Sequence, residues 1–292
     1  MRFLVRLGFT VCLLTVVFSA FGQDQPVQIT FGEKGDCDPM VSPDGKSMAF
    51  ASDRTGAFNL YLQVFGQGGV LQLTQSKKGD RHPSWSPDGK QLVFNSKRTG
   101  NGDIYEMAAD GSSGFLQLTD REDIDEFPSY KGANGGLLYV SSPKKLLKLH
   151  PQNQVVYAEE KGRANNVRAM GEGAEARFSP DLKSIVFVSR RTKNKDLWLM
   201  NTDGGLQTQL TTDSNEDENP CFSPDGKQIV FTSNRTGSYD LWAISADGSN
   251  PRQLTSSAED ETQPCWSSGG FIYYTRALGE GRSNIYRIPA PK

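Results

Sequence analysis

The 292-residue chain carries 36% hydrophobic and 23% charged residues, with 32 Lys+Arg against 34 Asp+Glu and a formal net charge of −2. This composition excludes disorder and collagen-like repetition, and so mild a charge balance argues against a nucleic-acid partner. Length alone permits one large domain or two small ones.

The first segment reads as a leader. Arg2 and Arg6 form a basic region ahead of a short apolar run from Leu7 to Phe18. Ser19-Ala20-Phe21-Gly22 presents small residues where a signal peptidase reads, which predicts a signal peptide over 1–22 and a cut before Gln23. A membrane anchor is the competing reading, but a bilayer span needs about 20 apolar residues. Cys12 lies within the run with no cleavage pattern before it, so no lipid anchor is expected there. The remaining 23–292 is expected to be exported and soluble, in the periplasm or secreted.

From there the chain repeats. A proline recurs at Pro39, Pro83, Pro128, Pro220 and Pro264, with Ala176 in the same slot of one copy, at intervals of 44, 45, 48, 44 and 44 residues. A period in the mid-forties filled with short strands and turns predicts an all-β, six-bladed β-propeller of four-stranded antiparallel blades. In each repeat the first strand ends on Val41, Trp85, Tyr130, Phe178, Phe222 or Trp266. Ser-Pro-Asp-Gly follows at Ser42, Ser86 and Ser223, with proline presetting φ and glycine supplying the positive φ that closes a hairpin. Alternating second strands such as 91–96 and 228–233 come next, then third strands such as 103–107 and 240–244. Asp-Gly turns and a closing Gln-Leu-Thr at 72–74, 117–119, 209–211 and 253–255 complete the unit.

The two chain ends explain each other. The last repeat stops after its third strand, while Gln28-Ile29-Thr30 stands alone before the first repeat. The N-terminal strand should therefore complete the sixth blade and leave no large open edge. The third repeat is the outlier: Lys131-Gly-Ala-Asn134 replaces Ser-Pro-Asp-Gly, and 161–173, holding Arg163 and Arg168, reads as the longest connection without pattern. Long loops on a rigid scaffold often carry function.

Three residues before the anchor position sit Asp36, Asp80, Asp125, Asp217 and Glu261, with Gly173 breaking the series. Arg54, Arg98, Arg191, Arg235 and Arg276 reach the same face from the loop between second and third strands, and Asn59, Asp103, Asp196 and Asp240 belong to it too. One reading is a belt of carboxylate–guanidinium pairs that pins loops to the rim. The other is an acidic channel mouth, supported by the runs 120–126, 213–218 and 259–261, that attracts a cation or a basic segment of a partner. On the second reading the partner-binding residues are Asp36, Asp80, Asp125, Asp217, Glu261, His82, Arg163 and Arg168. His82, near Asp80, could form a pH-sensitive contact.

Enzyme chemistry finds little support. No Gly-x-Ser-x-Gly elbow precedes a helix, and His82 and His150 are the only histidines, which excludes a His-rich zinc or copper site. Carboxylates at the mouth keep a glycoside-cleaving or lactone-cleaving enzyme as the alternative, with calcium as its cofactor, although no loop shows dense Asp/Asn/Gly spacing. No other cofactor is expected. Of the cysteines beyond the leader, Cys37, Cys221 and Cys265 are odd in number and without metal-ligand spacing. Cys221 and Cys265 occupy equivalent places in successive repeats, as apolar filling or as a disulfide.

The combination of Pro-x-[Trp/Phe]-Ser-Pro-Asp-Gly-Lys, Ser-x-Arg-Thr-Gly, Asp-Leu-Trp and Gln-Leu-Thr over 28–288 resembles the TolB-like propeller repeats of bacterial periplasmic proteins. The resemblance implies a monomeric binding scaffold without catalytic residues. Its partner would be another envelope protein, such as a peptidoglycan-associated lipoprotein, or a glycan. TolB itself carries an N-terminal α/β domain, for which the few residues between the predicted cut and the first strand leave no room.

Overall fold

A computed structural model describes residues 25–131, 135–143, 153–158 and 167–291. The expected leader and cleavage site, Arg163 and His150 lie outside the described residues. Six four-stranded antiparallel sheets follow one another along the chain. The first blade holds β2 (Asp36–Val41), β3 (Ser47–Ser52), β4 (Asn59–Val64) and β5 (Leu71–Gln72). The second holds β6 (Asp80–Trp85), β7 (Gln91–Ser96), β8 (Asp103–Ala108) and β9 (Leu116–Gln117). The third holds β10 (Ile124–Lys131), β11 (Gly136–Ser142), β12 (Gln154–Ala158) and β13 (Val167–Glu172). The fourth holds β14 (Ala174–Phe178), β15 (Ser184–Ser189), β16 (Asp196–Asn201) and β17 (Thr208–Gln209). The fifth holds β18 (Asp217–Phe222), β19 (Gln228–Ser233), β20 (Asp240–Ser245) and β21 (Arg252–Gln253). In the sixth, β22 (Glu261–Trp266), β23 (Phe271–Ala277) and β24 (Ser283–Pro289) are completed by β1 (Val27–Gln28).

The repeated residues form these elements for local reasons. In Ser-Pro-Asp-Gly the Ser42 hydroxyl donates to Asp44 at 2.6 Å, and Asp44 in turn accepts from the Lys46 N–H at 3.1 Å. Gly45 takes φ 71°, where a Cβ would be strained. The closing Gln-Leu-Thr works through its threonine, whose Oγ1 accepts the N–H of the third strand. Thr74, Thr119, Thr211 and Thr255 do this for Leu60, Ile104, Leu197 and Leu241. Thr30 does the same for Ile285 at 2.9 Å, so the N-terminal segment joins the sixth blade with the fitting used in the others.

The core is divided among the blade interfaces. Buried Phe94, Leu92 and Tyr105 pack on Ala49, Ala51 and Leu60 between the first two blades, and an equivalent cluster fills each of the other five interfaces. Burying a large aliphatic or aromatic side chain contributes about 1.5–3 kcal/mol, so each blade draws its stability from both neighbours. One expectation changes: the stretch 161–173 is not all loop. Residues 167–172 form β13, the outer strand of the third blade. Among the described residues no helix is long and apolar enough to cross a membrane.

Candidate functional site

The first strand of every blade starts on one face of the ring, and there the expected carboxylates sit. Asp36, Asp80, Asp125, Asp217 and Glu261 are all 0% exposed. Four of them receive the arginine of their own blade. Arg54 Nη2 lies 2.9 Å from Asp36, Arg98 Nη2 3.0 Å from Asp80, Arg235 Nη2 2.9 Å from both Asp217 oxygens, and Arg276 Nε 2.8 Å from Glu261. Each guanidinium also lies over a third-strand aromatic ring, for example Arg54 at 4.4 Å from the Tyr61 centroid and Arg235 at 4.5 Å from Trp242. The structure thus brings these four together with their arginines as a buried belt, behind the mouth rather than on its surface. Asn59, Asp103 and Asp240 do not pair with guanidinium groups. They accept from hydroxyls and backbone N–H groups, as Asn59 does from Ser76 N at 2.6 Å and Asp240 from Ser257 N at 2.9 Å.

The belt is interrupted in two adjacent blades. Asp125 has no arginine, and neither carboxyl oxygen has a hydrogen-bond partner. Burial raises its pKa to about 6, only partly offset by the nearby Ser141 and Thr119 hydroxyls and by the charge of Arg121. Next door Gly173 replaces the acid, since a Cβ there would stand 2.6 Å from the Phe187 ring. Arg191 therefore donates to the Glu172 carbonyl at 2.9 Å. Arg168 lies away from the axis on β13, exposed and bonded to the Thr202 carbonyl at 3.0 Å.

The axis itself is lined by a different ring, one residue before the anchor position. Asp38, His82, Phe127, Glu175, Asn219 and Gln263 all have φ between 52° and 55°. Each marks a β-bulge where the first strand loses register with the second. The left-handed conformation costs about 1–2 kcal/mol per non-glycine residue. The ring offsets this by relaying hydrogen bonds from blade to blade. Glu175 accepts from Asn219 N at 2.6 Å, Asn219 from Gln263 N at 3.3 Å, Gln263 from Asp38 N at 3.1 Å, and Asp38 from His82 N at 3.3 Å. His82 then stacks on Phe127 at 4.1 Å, and phenylalanine offers no side-chain acceptor for the Glu175 N–H of the next blade, so the relay does not close through it.

Electrostatics follow from this enclosure. Burial would raise the Asp38 pKa, but His82 and Arg81, the latter 3.0 Å away, hold it below the usual value. Burial lowers the pKa of His82 despite Asp38 beside it. Burial likewise raises Glu175 and lowers Arg177. The cavity inside the ring has a volume of about 50 Å³ and is lined by these residues with Met40, Arg177 and Cys221. Such a space admits water or one ion, not a sugar ring.

Cys37, Cys221 and Cys265 are free thiols. A hydrogen bond with Cys265 brings the Cys221 pKa down to about 7, with the Trp266 N–H and Arg177 acting the same way and burial opposing them. Among the described residues no group of three or more His, Cys, Asp or Glu is placed to hold a metal ion. Of the expected site residues, only His82 faces the axial cavity. The others on the axis were readable in part: the position before the anchor holds Asp, His and Asn in three repeats, types that tolerate positive φ.

Comparison with known proteins agrees with this architecture. The family model of the TolB beta propeller domain matches residues 28–161 and 151–288. A structure assigned as TolB from Agrobacterium tumefaciens superposes with a TM-score of 0.67 at 17% identity, covering 89% of this chain and 92% of that one. TolB from Acinetobacter baumannii gives 0.66 at 19% identity, over 88% of this chain and 64% of that one. Oligogalacturonate lyase from Vibrio parahaemolyticus gives 0.60 at 13% identity, over 92% of each chain. No curated protein matches. From the repeat, the closed ring and the family match together, the chain belongs to the TolB beta propeller domain family.

Proposed function

We propose that this propeller is an exported, non-catalytic scaffold that binds another envelope protein, or a glycan, on the face where the first strands begin. The observation that carries this reading is the small axial cavity of about 50 Å³, bounded by groups bonded to one another. A ligand of any size must therefore sit across the mouth, on the loops around it. Those loops carry exposed acids, Asp120 and Glu122 before the third blade and Glu259 and Asp260 before the sixth. In this reading Asp36, Asp80, Asp217 and Glu261 hold the loops in place, and His82 and Asp125 lie beneath them. A partner with a basic contact surface fits best, and the TolB relationship makes a peptidoglycan-associated lipoprotein the first candidate.

The test is equilibrium binding of the chain to such a lipoprotein and to peptidoglycan fragments, in low and high salt. Capture that weakens with salt, and weakens about tenfold in a Glu122→Lys, Asp260→Lys double variant of unchanged melting temperature, supports the proposal. Absence of binding to either, or turnover of an oligosaccharide by the chain, would replace it with the enzyme reading.

A further inference from the structure

At the position directly after the anchor, Met40, Arg177 and Cys221 line the axial cavity, and the chemistry of this position is uneven round the ring. Met40, Cys221 and Cys265 occupy it in the first, fifth and sixth blades, which are consecutive in the closed ring, whereas Ser84, Ser129 and Arg177 occupy it in the rest. The three sulfurs form one cluster. Cys265 Sγ lies 3.7 Å from Met40 Sδ and shares a hydrogen bond with Cys221. Backbone donors already orient both thiols, Trp266 N–H to Cys221 at 3.3 Å and Val41 N–H to Cys265 at 3.3 Å. Met40 and Cys221 open on the axial cavity. Arg177 opens on it as well, with no carboxylate within ion-pairing distance among the described residues.

We propose that Cys221, Cys265 and Met40 form a binding site for a soft monovalent cation, Cu(I) in the first instance. Two thiolates and a thioether are the donors that select Cu(I), and no imidazole or carboxylate is needed to complete a three-coordinate sulfur site. Charge supports the assignment. Two thiolates with one monovalent cation leave a net charge of −1, and the Arg177 guanidinium supplies the balancing charge in a buried place. A divalent zinc ion would ask for a fourth ligand, which the cluster does not provide. Binding releases the thiol protons and involves no electron transfer. The inference stands apart from the proposed partner binding, which takes place on the loops outside the cavity.

The test uses the full chain carrying Cys12→Ser, reduced and under anaerobic conditions, titrated with Cu(I) against a chromophoric Cu(I) chelator. One Cu(I) per chain is expected to be withheld from the chelator, with thiolate-to-copper absorption in the near ultraviolet. Cys221→Ser and Cys265→Ser should each lower the affinity at least about tenfold, and Met40→Leu, which keeps the volume, should lower it as well. Cys37→Ser should leave it unchanged. The inference is overturned if the reduced chain withholds no copper, or if a folded Met40→Leu variant or a folded serine variant withholds it as tightly as the parent chain. Melting curves identify any variant that has lost its fold, and Met40→Leu alone then decides.

Discussion

At Asp125 a carboxyl group is sealed in the third blade without the guanidinium hydrogen bond its counterparts receive, and burial outweighs the favourable charge of Arg121. Its pKa stands at about 6, above the 3.8 of the unfolded chain, so between these values the folded state holds the extra proton. Stability from this group is therefore complete below about pH 4 and lost as pH rises to about 6. Each pKa unit is worth about 1.4 kcal/mol, which puts the loss on the order of 2–3 kcal/mol. Asp125→Asn should accordingly stabilise the chain at pH 7 and change little at pH 4. Urea midpoints of both proteins across that range check this, and a difference that does not vary with pH would refute it. Little of this was legible beforehand, since Asp125 matches its counterparts in spacing and only the missing arginine of its blade sets it apart.

Among elements, the loop after each second strand depends on whether its arginine neutralises a buried acid. Arg98 does so for Asp80, and removing it leaves a charge with no partner in the interior. Arg98→Ala should cost about 3–5 kcal/mol. Arg191 occupies the equivalent place but meets a carbonyl and the neutral amide of half-buried Gln207 rather than a buried acid, so Arg191→Ala should cost under about 1 kcal/mol. Denaturant melts of the two variants measure the contrast, and equal losses would show that the acid is not what matters. The strands, turns and ring closure could be read from the sequence because Ser-Pro-Asp-Gly and Gln-Leu-Thr act through contacts within one blade. The axial ring could not be read in the same way. Asp38 and Gln263 meet across the closure of the ring, 225 residues apart, and their roles depend on a bulge that no single repeat announces. The acids at the belt were legible as positions, but their burial depends on arginines, aromatic rings and loops folding over them together.

At the scale of the molecule, the sixth blade is finished by β1, through the pairs Val27 with Arg287 and Gln28 with Tyr286 and the Thr30 hydroxyl. A chain lacking everything up to Thr30 should melt earlier and self-associate through the bare edge of β24, which light scattering at increasing concentration would detect. A monodisperse, equally stable truncated chain would show that β1 is dispensable. The strand that closes the ring also determines how the chain must search for its fold. The link from Thr30 to Ile285 spans 255 residues, against 44 for the contact of Glu175 with Asn219 in neighbouring blades. Loop-closure entropy grows only with the logarithm of length, so this long link costs roughly 1.6 kcal/mol more than a neighbouring one. The thermodynamic penalty is thus small. The kinetic one is larger, because the closing contact raises the contact order of the whole domain and cannot form until almost the entire chain has been synthesised. Refolding should therefore end in a slow phase that reports the docking of β1, while the blades between assemble earlier from nearby partners.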